Sequence, residues 1–177
     1  MRSTLDLLSQ YAAYHRDRRN IATHFVGVPL IVFAVGVLLA RPSLGLGTLT
    51  LTPAWLAWAL ASLWYLTRGN FVLGIAVSAV NFVLIALAQP LADGSVFGWL
   101  AWGFGLFFVG WLIQFVGHYY EGRKPAFIDD LTGLLVGPMF VVAEWLFALG
   151  ACKPMLEEIE RRVGPTILRD LAHPAWR

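Results

Sequence analysis

Cysteine is almost missing: Cys152 stands alone in 177 residues. An intrachain disulfide is therefore excluded, and so is any centre built from clustered thiolates, a structural zinc knuckle included. Charge is scarce as well. Thirteen Lys and Arg against eleven Asp and Glu leave a formal net charge of +2. That surplus is too small to hold a phosphate backbone, so nucleic acid is not expected as a partner. The charges that exist sit at the two ends and in short loops. A cleavable leader is not expected either, because residues 1–20 are amphipathic and then basic, and the first apolar run follows too late. No internal repeat is visible, and nothing specifies an oligomer.

What fills the chain is apolar. Hydrophobic residues make up 58% of it, against about 45–50% in soluble domains, and they fall in long blocks. This predicts an all-α, integral membrane helical bundle forming one domain over residues 1–177, with the lipid bilayer as its surroundings. Residues 4–18 read as an amphipathic helix on the membrane surface. Asn20 is the expected N-cap of run 1, about 21–40, whose Pro29 predicts a late start or a kink. Runs 2, 3 and 4 cover about 53–67, 71–89 and 96–117. The eight Trp read mostly as interfacial and packing residues. A fifth run, 131–150, is broken by Gly137-Pro138, and 153–171 reads as a polar amphipathic helix.

Basic residues in short loops place the N-terminus in the cytoplasm. Four crossings then fit the charge bias, with run 5 as a re-entrant or interfacial hairpin bent at Pro138. That topology brings the start of run 1 and the end of run 4 to the same face. His15, His24, His118 and Glu121 can meet there, with Asp129 and Asp130 close in sequence. His15 and His24 are about 180° apart on one straight helix, so sharing an ion requires a break, expected near Arg19-Asn20. His118 and Glu121, at i and i+3, share a helical face.

One interfacial histidine is ordinarily an anchor; three on one face, with a carboxylate, point to a metal centre. Asn20 precedes His24 by four and Gln114 precedes His118 by four, so each amide is placed to orient its imidazole. Glu144, ionisable within an apolar run, is a further candidate for this outer layer, its other role being to pair with the Arg16–Arg19 cluster. Imidazole suits Zn, Cu, Fe and Ni, and two His with a carboxylate is typical of non-haem Fe(II) oxygenases. Ligand type alone leaves oxygen chemistry and metal-assisted hydrolysis both open.

The residues also resemble a known family. Tyr14-His15, Asn20, His24, Gly27 and Pro29 are similar to its first motif, and Gln114-Phe115-Val116-Gly117-His118 with Glu121 and Lys124-Pro125-Ala126 to its second. This is the small membrane family that includes the yeast 2-hydroxy fatty acid dioxygenase of phytosphingosine breakdown. The resemblance implies an Fe(II)-dependent α-oxidation in which O₂ converts a 2-hydroxy fatty acid to the acid one carbon shorter. It implies His15, His24 and His118 as iron-binding and catalytic residues. It further implies an inner-membrane location in a bacterium, or the endoplasmic reticulum in a eukaryote; the charge bias, independently, turns the site to the cytoplasm. Glu121 as a fourth ligand is added from its position. Arg16 and Arg19 are expected to pair the substrate carboxylate. Two other readings compete: a zinc-dependent membrane lipid hydrolase, and a non-enzymatic lipid-binding or assembly protein. A carrier is disfavoured because the polar residues gather at one face rather than at mid-depth.

Overall fold

The structure, a computed structural model, describes residues 2–46, 49–125 and 130–171; Asp129 and His173 lie outside them. Seven α-helices follow in order: α1 (Thr4–Ala12), α2 (Arg18–Leu39), α3 (Pro53–Leu66), α4 (Phe71–Ala88), α5 (Val96–Glu121), α6 (Gly133–Ala148) and α7 (Lys153–Val163). A short antiparallel hairpin, β1 (Leu44–Leu46) and β2 (Leu49–Leu51), occupies the Gly/Pro/Thr-rich loop. The expected all-helical class holds.

Local chemistry sets most helix ends. Ser3 and Asp6 form a capping box on α1. Asn70 Oδ1 accepts from the Leu73 N–H at 2.9 Å to start α4, and Ser95 Oγ from the Gly98 N–H at 3.0 Å to start α5. Gly122, at φ 66°, ends α5 in the left-handed conformation that glycine adopts without strain.

Among the described residues three helices are long and apolar enough to cross a bilayer: α2, α5, and α4 together with the 3-10 turn that follows it to Ala92. The α6–α7 pair, bent by 116°, brings the number to at most four. Run 2 was expected to cross, but α3 has 14 residues. At 1.5 Å per residue it spans about 21 Å, short of the roughly 30 Å hydrocarbon core. The bend in run 5 is also displaced from the expected place. Pro138 lies inside α6, and the chain turns instead where Gly150 and Cys152 take positive φ. A proline near the start of a helix removes one backbone bond, whereas two residues of positive φ redirect the chain. Pro29 is likewise accommodated within α2.

The N-terminal helix does not keep its apolar face for lipid. Leu7, Leu8, Tyr11 and Ala12 pack into a core with Val136, Met139, Phe140 and Ala143 of α6 and Ile159 of α7. The helix stops at Ala12, five residues before α2, so the break that frees His15 from His24 falls at 13–17, ahead of the expected Arg19-Asn20. Asp17, not Asn20, is the N-cap of α2.

The main axis of the bundle is α2 against α5, and glycine makes that contact close. Gly103, Gly110 and Gly117 recur every seven residues on α5 and face Leu38, Ile31 and Thr23 of α2 in turn. A Cβ on Gly110 would lie 2.7 Å from Ile31 Cγ1, and one on Gly27 would lie 3.0 Å from the Gly110 carbonyl. Small residues at this spacing let two membrane helices approach backbone to backbone. A side chain at Gly117 would run into Thr23 Oγ1 and Asn20 Oδ1. Gly117→Val is therefore expected to destabilise the protein by about 1–3 kcal/mol through overpacking. Gly105→Ala, where a Cβ would meet nothing within 4 Å beyond its own stretch of helix backbone, should leave it unchanged or slightly steadier. Thermal unfolding of both variants in detergent checks the contrast.

Candidate metal centre

The α2–α5 contact ends where three imidazoles converge. His15 comes from the segment between α1 and α2, His24 from the second turn of α2, and His118 from the last turn of α5. Their relative exposures are 0%, 1% and 7%, so water does not solvate the rings. Ring centroids lie 4.4 Å apart for His15–His24, 5.0 Å for His15–His118 and 5.2 Å for His24–His118. One nitrogen from each lies within 4.8 Å of the others.

Backbone carbonyls fix two tautomers. His15 Nδ1 is 2.7 Å from the Tyr11 carbonyl oxygen, and His24 Nδ1 is 2.8 Å from that of Asn20. A carbonyl only accepts, so both protons sit on Nδ1. Both Nε2 atoms then carry bare lone pairs, and they face each other at 3.0 Å. Burial, with the nearby His24, His118 and Arg16, holds His15 well below the ordinary imidazole value, so a proton does not relieve the opposition. A cation between the lone pairs does. The donor set therefore fits a metal ion bound by neutral imidazoles, with each distal N–H held by an outer acceptor. Three imidazoles leave coordination positions open for substrate, as in catalytic rather than structural sites.

The other expected site residues take different places. Glu121 is fully buried but is not in the histidine group. Its Oε2 accepts from the N–H groups of Arg16 and Asp17 at 2.9 and 2.8 Å and from Asn20 Nδ2 at 3.2 Å. Its Oε1 pairs with Arg169 at 2.9 Å. Glu121 follows His118 by three at the end of α5, but the backbone N–H groups of Arg16 and Asp17 at the 13–17 break take its carboxylate. Among the described residues the cluster is three histidines, not three histidines and a glutamate.

Arg16 and Arg19 are not free for a substrate carboxylate. Arg16 donates to the carbonyls of Ala12, His15 and Gly164. Arg19 makes a two-pronged pair with Asp17 and lies 4.6 Å over the Tyr120 ring. Glu144 is half-buried and its charge acts on Arg16. Asn20 supplies its backbone carbonyl, not its amide, to His24. Gln114 is buried, yet its Oε1 and His118 Nδ1 each lack a hydrogen-bond partner among the described residues.

The sequence reading missed a strap. Residues beyond α7 return under the start of α2. Ile167 N–H donates to the Arg16 carbonyl at 2.8 Å, Arg18 N–H to the Ile167 carbonyl at 3.0 Å, and Arg169 N–H to Asp17 Oδ2 at 2.9 Å. It also missed Tyr11, whose ring stacks on His15 at 4.1 Å and 5°.

One cavity reaches the centre, and a second lies beyond it. A small one, about 60 Å³, is lined by Tyr11, His24, Gln114, His118, Trp111 and Gly137 among others. A larger apolar one, about 320 Å³, lies between α2, α3, α4, α5 and α6. Ile31, Val32, Trp111, Leu134 and Pro138 form walls of both. A polar, metal-capable end thus adjoins a space of the size that binds small apolar ligands.

Residues 1–149 match the family described as 2-hydroxy-palmitic acid dioxygenase Mpo1-like. The 2-hydroxy-palmitic acid dioxygenase MPO1 of Saccharomyces cerevisiae is 36% identical over 152 residues, covering 82% of this chain and 83% of the yeast protein. No solved structure matches the chain. With all three histidines inside the matched region and the identity extending over most of both proteins, the chain belongs to the Mpo1-like family.

Proposed function

We propose that this protein is a 2-hydroxy fatty acid dioxygenase, with Fe(II) held by His15, His24 and His118. In the reaction O₂ oxidises a 2-hydroxy fatty acid, the C1–C2 bond breaks, C1 leaves as CO₂ with one water formed, and the acid one carbon shorter is released. The observation that carries this reading is the convergence of three buried imidazoles beside an apolar cavity, in a chain related to the yeast enzyme.

The protein's own groups explain how such a substrate is placed. The acyl chain is drawn from the bilayer into the apolar cavity, where burying each CH₂ is worth about 0.8 kcal/mol. From the level of His24 to that of Leu39, which lines its far wall, α2 rises about 22 Å at 1.5 Å per residue. One leaflet of acyl chain occupies about 15 Å, half the hydrocarbon core, so the track accommodates a long chain lying along α2. The headgroup is left at the histidine end. Fe(II) bound there would supply Lewis acidity toward the carboxylate and hydroxyl oxygens and a position for O₂. Tyr11 and Asn20 carbonyls keep the His15 and His24 rings turned inward as neutral donors, and the apolar walls exclude bulk water. The proposed site faces the cytoplasm.

Purified protein loaded with Fe(II) should convert 2-hydroxypalmitate in air to pentadecanoic acid, with O₂ uptake in step. Zinc-loaded protein should do neither. Absence of product from protein with verified iron content, or conversion of lipid without O₂ by the zinc form, would reject the reading.

A further inference from the structure

We propose that Tyr11 and Gln114 bind the substrate headgroup, the Tyr11 hydroxyl donating to its carboxylate and Gln114 Oε1 accepting from its 2-hydroxyl. This rests on the dioxygenase reading and assigns to that site the residues that recognise its substrate.

The small cavity beside the histidines is mostly apolar, and few polar groups line it. Tyr11 is one. It is buried, and its ring is clamped between His15, stacked at 4.1 Å, and Phe140 at 5.1 Å, at the wall of that cavity. A phenol is neutral at physiological pH, so its O–H is a donor. Beside the hydroxyl stands Gly137, where a Cβ would come within 3.3 Å of it. The missing side chain leaves that position open for another group.

Gln114 is the second. It is 5% exposed and its Oε1 is buried without a partner. Its stem lies against Gly27, where a Cβ would come within 3.1 Å of Gln114 Cγ. Glycine there gives the side chain its place, so the amide is held and not merely stranded. A buried tyrosine and glutamine normally find partners. Both line one cavity next to a metal-capable cluster, and the unpaired Gln114 Oε1 there points to a ligand that supplies the missing donor.

The two groups differ in what they require. A carboxylate has no proton to give, so it satisfies a donor, and Tyr11 is one. An oxygen acceptor such as Gln114 Oε1 needs a donor, which a carboxylate does not offer and the 2-hydroxyl does. Arg16 and Arg19 do not compete for the carboxylate, since both are paired elsewhere. Gln114 thus reads the feature that separates a 2-hydroxy acid from an ordinary fatty acid. A site built to bond a hydroxyl discriminates strongly against the analogue that lacks it, because its own polar group is then left unpaired.

The test measures equilibrium binding of 2-hydroxypalmitate and palmitate to iron-loaded protein in nanodiscs without O₂. Gln114→Met should weaken 2-hydroxypalmitate about tenfold and leave palmitate within about twofold, while Tyr11→Phe should weaken both about tenfold. Iron content should stay unchanged in both variants. Equal shifts for the two acids in Gln114→Met, or no shift, overturn the role of Gln114; no shift in Tyr11→Phe overturns that of Tyr11. If a variant does not fold, two acid derivatives serve on wild-type protein. 2-Fluoropalmitate, which lacks the donor proton, should bind no better than palmitate, and the methyl ester of 2-hydroxypalmitate should bind about tenfold more weakly than the acid. Binding as tight as that of 2-hydroxypalmitate by either one overturns the matching contact. Turnover of 2-hydroxypalmitate by wild-type protein in air separates the two levels. Turnover with unchanged affinities rejects only the headgroup assignment, whereas no turnover rejects the dioxygenase reading beneath it.

Discussion

Alanine at His15, at His24 or at His118 should each reduce bound iron to below about one tenth of wild type and turnover by about a thousandfold or more. Losing even an outer-shell partner of a metal ligand typically costs about 10–100-fold, and here an inner ligand goes. The remaining pair cannot compensate. No fourth His, Cys, Asp or Glu joins the group among the described residues, and Glu121 is tied to Arg16, Asp17 and Arg169. The three substitutions should also be equivalent in their effect on iron, because each removes one of three nitrogens that close on the same point. Asn20→Ala is the contrast. His24 is oriented by the Asn20 backbone carbonyl, which survives the substitution, so iron should be largely retained. Elemental analysis of purified protein alongside the 2-hydroxypalmitate assay checks both. Stoichiometric iron in any single histidine variant would reduce the cluster to a packing feature. The metal should also stabilise the fold, by about 2.7 kcal/mol at a free concentration of 100 Kd. Wild-type protein, and none of the three variants, should therefore unfold at a higher temperature when iron is added.

The histidine gathering was readable because it rests on topology. An even number of passes between run 1 and run 4 puts their polar ends together, and His15, His24 and His118 meet as expected. The shortness of α3 does not disturb this, since α3 still carries the chain back from the Thr52–Gln89 end to Arg68, whose carbonyl meets the start of α1 at Thr4. The contact that sets their separation was written in the chain too, in Gly103, Gly110 and Gly117 at a seven-residue spacing, with Gly27 opposite. Composition shows that run 4 is rich in glycine; only the period shows that the glycines share one face.

What could not be read has a common physical origin. Charged residues near a helix break have many possible partners, and sequence separation does not rank them. Arg16 spends its guanidinium on three carbonyls, one of them Gly164. Arg169 reaches Glu121 across 48 positions of chain. Both pairings depend on the strap at Ile167, whose two backbone bonds to the α2 entrance carry no side-chain signature. Tyr11 was legible as an apolar helix position and not as a polar one, because its helical spacing reports the ring and says nothing of where the hydroxyl ends.

Glu121 supplies the second large effect, and it separates holding a metal from holding the scaffold. Its carboxylate is fully buried and closes the gap between α1 and α2, taking the Arg16 and Asp17 N–H groups on one oxygen and Arg169 on the other. Glu121→Ala strands two backbone donors and a guanidinium that is only about a quarter exposed. Breaking a buried pair by removing one partner costs about 3–5 kcal/mol. His15 directly precedes the released Arg16, so the loss should reach the metal and lower iron content as well. Glu121→Gln behaves differently. The amide oxygen still accepts from Arg16 and Asp17, the volume is kept, and only the ion pair with Arg169 is lost. Iron should then stay near one per chain, with a smaller drop in unfolding temperature than alanine causes. Were Glu121 a ligand, glutamine would be a poor substitute and the iron would fall in both variants alike. Retention of iron in Glu121→Gln with its loss in Glu121→Ala therefore identifies a residue that positions His15 through the backbone without touching the ion.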